Sequence, residues 1–201
     1  RKFNQFNKDP KLADSVVTLP DFAVSKLNSW CQLAHSQRFV KNKQHNNNPE
    51  KKVLKIFLDA SKDGWGATVI TPDLQLFHSG GKWNDEEKQL HINLLEALAF
   101  RKTVISFADL IISIGAVDFN IDNTSVQFSV ARGAARKEEM IKIIQHPIEF
   151  LVAFDIDVTS QYVESKNNLS DCISRQNTNL PKLTREEVEN IYKRRGAGER
   201  W

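Results

Sequence analysis

The chain has 201 residues, of which 40% are hydrophobic and 26% are charged. This composition is typical of a globular protein with one sizeable core. No hydrophobic run approaches the roughly 20 residues of a membrane helix. The two cysteines, Cys31 and Cys172, follow no metal-binding motif, which argues against a disulfide framework or a zinc module and favours a reducing intracellular compartment, nucleus or cytoplasm.

The net charge of +3 is unevenly distributed along the chain. Residues 53–175 hold 12 Lys and Arg against 17 Asp and Glu, a net charge of −5, whereas residues 1–52 carry +6 and residues 176–201 carry +2. We therefore expect an acidic central domain with a basic N-terminal extension and a C-terminal helical extension. A domain of this sign should bind a polyanion poorly without metal ions and without its basic flanks.

The predicted elements begin in the N-terminal extension. Apolar residues at helical spacing predict a helix over 21–37, capped by Asp21, and a polar, Asn-rich linker follows up to Lys52. Beyond the linker, alternating apolar residues predict strands, with a turn at Thr71-Pro72-Asp73. The predicted strands are 53–59, 66–70, 74–78, 117–122 and 157–163.

Helical periodicity and capping residues predict five further helices. Glycines end three of them, at Gly115, Gly133 and Gly196. A kink or a break is expected at Pro147, because proline cannot donate a helix hydrogen bond. Thr184 and Glu187 form the pattern of a capping box. The predicted helices are 85–114, 123–132, 138–154, 168–175 (with Asn168 as its cap) and 183–195.

Four acidic residues stand in contexts where a carboxylate is costly. Asp59 ends the first predicted strand (LKIFLDAS), and Glu96 lies inside an apolar helix pattern (HINLLEALAF). Asp122 ends a strand in FNIDNTS, and Asp171 lies in the first turn of a short helix in NNLSDCISR. A buried carboxylate is unfavourable unless a cation shares it. The alternative for each acid alone is a turn, a cap or a solvated helix face. Together the four indicate a site for a hard divalent cation such as Mg²⁺.

The order of these acids, with spacings of 37, 26 and 49 residues, resembles the ribonuclease H family. The segments DASKDGWGA, GKW, HINLLEALAF, IDNTS and YVESKNNLSDCISR resemble the ribonuclease H domain of DIRS-type retroelements, over about residues 53–175. The resemblance implies an α/β, ribonuclease H-like fold with a five-stranded mixed sheet and flanking helices. It also identifies the helix at 21–37 as a connector to a reverse transcriptase domain in the same polypeptide.

The resemblance implies a nuclease that cleaves the RNA strand of RNA–DNA hybrids during reverse transcription with two Mg²⁺ or Mn²⁺ ions. Asp59 would bridge the ions, Glu96 and Asp122 would hold the ion nearer the leaving group, and Asp171 would hold the ion that activates water.

The resemblance also implies residues that contact the substrate. His91 and Asn93 would lie at the minor groove of the hybrid, and Asn123 and Thr124 near the RNA backbone, with helix capping as the alternative. Lys166 lies where many relatives carry a histidine, and it is either a cation near the scissile phosphate or a surface lysine. Two other functions stay open: a retroelement-derived scaffold with weak or no activity, and a transposase or integrase, for which a late Glu rather than Asp171 is expected.

Overall fold

The computed structural model describes residues 52–177, 180 and 182–194, the backbone of 199–200, and positions 21, 24, 25, 27 and 28. The chain divides into two compact units, residues 1–43 and 44–201. In the first unit the described positions are helical, and all five lie within the helix predicted at 21–37. The rest of that helix and the linker before Lys52 lie outside the described residues.

The second unit is built on one mixed sheet, in the order β3-β2-β1-β4-β5-β6. The first three strands pair antiparallel, whereas β1, β4 and β5 run parallel and β6 is antiparallel to β5. The first five strands confirm the predicted α/β, ribonuclease H-like arrangement; the two-residue edge strand β6 was not predicted. The strands are β1 (Leu54–Ala60), β2 (Gly64–Ile70), β3 (Leu76–Lys82), β4 (Ala116–Ile121), β5 (Asp157–Tyr162) and β6 (Glu199–Arg200).

The helices of this unit lie between and after the strands. None of the described helices is long and apolar enough to cross a bilayer. Besides short 3-10 turns at Glu87–Gln89 and Ser165–Asn167, they are α1 (Ile92–Ser106), α2 (Ala108–Ile114), α3 (Thr124–Ala131), α4 (Glu138–Ala153), α5 (Asp171–Ser174) and α6 (Arg185–Lys193).

The segment 85–114 was predicted to contain one long helix closed by Gly115, but it contains two α-helices. A 3-10 turn precedes α1, and the helix is interrupted at Phe107, whose backbone has φ −115° and ψ 20°. Phe107 and Leu110 both pack against the main core, the large buried apolar cluster that includes Leu54, Ile56 and Leu58. The interruption therefore lets α2 turn its own apolar residues inward. Gly115 ends α2 as predicted, in the left-handed region with φ 72°.

The break considered at Pro147 is absent, since α4 continues from Glu138 to Ala153 with the proline inside it. Ile144, Ile148 and Leu151 form a buried stripe on this helix and belong to the main core. A proline inside a helix costs about 3 kcal/mol. Burial of three large side chains, each contributing about 1.5–3 kcal/mol, outweighs that cost.

Two apolar clusters lie on opposite faces of the sheet, as the alternation in β1 predicts. Leu54, Ile56 and Leu58 belong to the main core with α1 and α4. Phe57 belongs to a smaller cluster with Val188 of α6. The predicted capping box at the start of α6 is present, whereas its predicted end at Gly196 lies outside the described residues. The C-terminal helix is therefore part of the sheet's packing.

Candidate metal centre

Three of the four predicted acids meet at one edge of the sheet. Asp59 is near the end of β1, and Asp122 directly follows β4, its parallel neighbour, where Leu58 pairs with Ile121. Glu96 lies on α1, which packs over the same strands. One carboxylate oxygen from each acid lies within 4.8 Å of the others. The carboxyl ends of two parallel strands and one overlying helix thus converge on a single point.

Two acids of the triad, Asp59 and Glu96, are buried, Asp122 is half-buried, and the three are poorly compensated. The exposed fraction is 4% for Asp59 and 5% for Glu96, so the predicted alternative of a solvated face for Glu96 is wrong. The backbone of Ala60 donates a hydrogen bond to Glu96. Glu96 Oε2 and Asp122 Oδ1 are nevertheless buried without a hydrogen-bond partner among the described residues. Unpartnered buried oxygens of this kind are rare and costly in folded proteins.

The electrostatics show what the triad lacks. Burial, reinforced by the charges of Asp59 and Asp122, raises the pKa of Glu96 to about 9. Burial also raises the pKa of Asp59 to about 6, although a hydrogen bond from Ser174 opposes the shift. Glu96 therefore favours the protonated form at neutral pH, and the ionised form of Asp59 is destabilised to a smaller extent, unless positive charge is supplied. Because the donors are all oxygens, the residues fit a hard divalent cation such as Mg²⁺ or Mn²⁺.

Asp171 lies beside the triad but is not part of it. Its charge contributes to the raised pKa of Asp59, which places the two carboxylates near one another. Both oxygens of Asp171 accept from Arg175, with Nε at 2.9 Å from Oδ1 and 3.0 Å from Oδ2, and Nη2 at 2.8 Å from Oδ1. The structure thus brings three acids together and leaves the fourth paired with a cation.

The predicted cap of the helix at 168–175 is wrong: α5 begins at Asp171, and Asn168 hydrogen-bonds the preceding turn to β1. Asn168 Nδ2 donates to the carbonyl of Leu58 at 2.8 Å, and its Oδ1 accepts from the backbone of Ser170 at 3.1 Å. Ser170 Oγ donates to the carbonyl of Phe57 at 3.0 Å. Buried backbone carbonyls are nearly always paired, and Asn168 supplies a donor to the carbonyl of Leu58 instead of capping a four-residue helix.

Ser174 is a site residue that the sequence reasoning missed. It is fully buried, and its hydroxyl donates to Asp59 Oδ2. Its own carbonyl accepts from Ser61 Oγ at 2.7 Å. The signal that could have found both Ser174 and Arg175 is their spacing of three and four residues from Asp171, which puts them on the same side of one helical turn.

Three of the five predicted substrate-contact residues, His91, Asn93 and Asn123, form one hydrogen-bonded group. Asn123 Nδ2 donates to Asn93 Oδ1 at 3.0 Å, which joins the starts of α1 and α3. His91 caps α1 and accepts from the backbone of Asn93, and Asn123 caps α3. The capping alternative for Asn123 is therefore observed. Thr124, the first residue of α3, is exposed and forms no cap.

Lys166 lies in the 3-10 turn before α5 and is a surface residue. Its side chain is 76% exposed and pairs with Glu164 at 2.7 Å. The residues from Glu164 to Asn167 include no histidine. Lys166 is thus engaged with a neighbouring carboxylate.

Comparisons with known proteins find similar solved structures. No protein-family model matches the chain, and no curated protein matches it. RNase H1 from the archaeon Halobacterium salinarum is 11% identical with a TM-score of 0.49, over 63% of this chain and 96% of that one.

Two further solved structures come from a bacterium and a virus. The N-terminal RNase H domain of a Mycobacterium tuberculosis protein is 14% identical with a TM-score of 0.48, over 62% of this chain and 97% of that one. A foamy viral protease-reverse transcriptase in complex with an RNA/DNA hybrid is 14% identical with a TM-score of 0.44, over 64% of this chain and 20% of that one.

Proposed function

We propose that this chain is a metal-dependent ribonuclease H that cleaves the RNA strand of RNA–DNA hybrids during reverse transcription. The observation that supports this proposal is the triad of Asp59, Glu96 and Asp122, in which two buried oxygens lack hydrogen-bond partners among the described residues. Burying these acids is unfavourable for folding alone, and a divalent cation would compensate the buried charge.

In this proposal Asp59, Glu96 and Asp122 would hold the divalent ion nearer the leaving group, and Asp59 and Asp171 would hold a second ion. Bound Mg²⁺ ions supply Lewis-acid stabilisation of the phosphoryl oxygens and a more acidic water. The residues of the chain orient that chemistry. Ser174 fixes one oxygen of Asp59 and leaves the other free to ligate. Because Glu96 is buried, its carboxyl would be ionised only when a positive charge lies beside it.

The substrate class follows from charge and from the resemblance of the sequence. The acidic domain would depend on the basic flanks, residues 1–52 and 176–201, for attraction to phosphates. The joined starts of α1 and α3 would contact the hybrid through His91, Asn93, Asn123 and Thr124. Amide groups there can read 2′-hydroxyls without sequence preference. The DIRS-type segments favour a retroelement origin, with a reverse transcriptase domain in the same polypeptide.

One observation favours a second candidate, a retroelement-derived scaffold with weak or no activity. The loop before α5 has no histidine, and Lys166, the nearest cation in that loop, pairs with Glu164. No side chain in this loop is then available for proton transfer or product release. We expect this to slow turnover rather than abolish metal binding.

A cleavage assay with a labelled RNA–DNA hybrid in Mg²⁺ or Mn²⁺ tests the proposal. Asp59→Asn should abolish cleavage, and Asp63→Asn should not, because Asp63 is exposed and outside the triad. Melting curves should show that both variants fold. Metal-dependent stabilisation without cleavage by the wild type would favour the scaffold, and cleavage retained in Asp59→Asn would contradict the nuclease site.

A further inference from the structure

The residue that directly follows α5 is an arginine whose position has a consequence for metal loading. Arg175 contacts both carboxylate oxygens of Asp171 through two nitrogens, at 2.8–3.0 Å. This forked geometry is the strongest form of a carboxylate ion pair. An ion that ligates Asp171 must therefore displace Arg175, or share the carboxylate with it.

The same arginine lies near the rest of the site. Asp59 interacts electrostatically with Arg175, and so does Asp63. A second divalent cation beside Asp59 would therefore meet a resident positive charge as well as an occupied ligand. The triad, in contrast, has two buried oxygens, Glu96 Oε2 and Asp122 Oδ1, without hydrogen-bond partners among the described residues. An ion that binds the triad thus meets unpartnered oxygens, whereas an ion that binds Asp171 must displace Arg175 or share the carboxylate with it.

We propose that Arg175 is a resident counter-ion that competes with a metal ion for Asp171. The triad loads its ion first, and the position at Asp171 loads only when Arg175 releases the carboxylate. This inference rests on the proposed function, because it takes Asp171 as a ligand of the second ion. Arg175 acts here as a positioning residue: it sets the availability of a ligand and contacts no reacting atom.

The expected effect is moderate because the pair is partly solvated. The side chain of Arg175 is 63% exposed and that of Asp171 is 35% exposed. Exposed ion pairs change an equilibrium by up to about five-fold, and a forked pair belongs near that upper limit. Release of Arg175 should therefore tighten the weaker of the two metal affinities by about five-fold. The stronger affinity, at the triad, should change by less than about two-fold.

The Arg175→Gln variant tests this prediction through a Mn²⁺ binding isotherm in the absence of nucleic acid. Lys62→Gln is the matched control, because it removes an exposed positive charge three residues after Asp59. Arg175→Lys keeps the charge but loses the fork. We expect the weaker affinity to tighten in Arg175→Gln, to tighten to a smaller extent in Arg175→Lys, and to stay unchanged in Lys62→Gln.

Three results would overturn the inference. The first is a single Mn²⁺ ion bound by every variant, and the second is an unchanged weaker Mn²⁺ affinity in Arg175→Gln. The third is a weaker Mn²⁺ affinity that tightens in Arg175→Gln but stays at the wild-type value in Arg175→Lys. The last result would show that charge alone acts, without the fork. Failure of the proposed function gives a different pattern, since Asp59→Asn would then leave the stronger Mn²⁺ affinity intact. Melting curves of each variant exclude misfolding as the cause.

Discussion

Replacement of Glu96 by glutamine should change how the stability of the metal-free protein depends on pH. Glu96 is buried, one of its oxygens has no partner among the described residues, and its pKa is raised from 4.5 to about 9. Between these two pH values the folded state keeps a proton that the unfolded state has released. The free energy of unfolding must therefore fall as the pH rises.

The magnitude follows from proton linkage. One proton contributes about 1.4 kcal/mol per pH unit, so Glu96 alone should lower the free energy of unfolding by about 3 kcal/mol from pH 6 to pH 8. That is a large fraction of the roughly 5–15 kcal/mol of a typical domain. Glutamine has nearly the same shape and does not titrate, so Glu96→Gln should lack this contribution and be the more stable protein at pH 8.

Urea denaturation with a chelator present, at pH 6, 7 and 8, measures the effect. The difference between the wild-type slope and the variant slope isolates Glu96, because the other titrating groups are common to both proteins. Glu139→Gln is the matched control, since Glu139 is exposed on α4 and should leave the slope unchanged. Equal slopes in the wild type and Glu96→Gln would refute the reasoning that folding forces a proton onto this carboxyl.

Two further predictions concern the packing that supports the site. In Gly66→Ala the new Cβ would lie 2.6 Å from Ile173 Cβ on α5, so we expect urea denaturation to show about 1–3 kcal/mol of destabilisation. Gly81→Ala is the control and should be destabilised less, because the nearest atom to its new Cβ would be 3.3 Å away. Equal effects of the two substitutions would contradict the close packing. In Lys55→Met the half-buried Asp118 loses a buried cation at 3.6 Å, and we expect about 3–5 kcal/mol of destabilisation. A change below about 1 kcal/mol would show that Asp118 stays solvated.

Much of the fold was predictable because the pattern in the sequence is local. The alternation in β1, the capping box of α6 and the left-handed Gly115 all depend on residues close together in the chain. The triad was predictable for a related reason: each acid is adjacent to apolar neighbours that must be buried. Burial of Glu96 follows directly from its place among leucines and alanines in α1.

The features that the sequence did not predict depend on contacts between distant residues. The continuity of α4 through Pro147 depends on its packing against the main core, which no local preference encodes. Asn168 does not cap α5, because its amide donates to the carbonyl of Leu58, and these residues are 110 positions apart. Ser174 likewise contacts Asp59 only after α5 packs on the sheet. Local propensity cannot rank such partners.

The way α5 is attached bears on whether the metal ions are needed for folding. Asn168 and Ser170 bind carbonyls of β1, and Gly66 lets the helix approach the sheet closely. These contacts are neutral and involve no carboxylate. Hydrogen bonds and packing thus hold α5 against the sheet. The same packing buries the acids, which is electrostatically unfavourable. A chelator should therefore lower the stability of the protein relative to the metal-bound form without unfolding it, since binding shifts the equilibrium only by mass action.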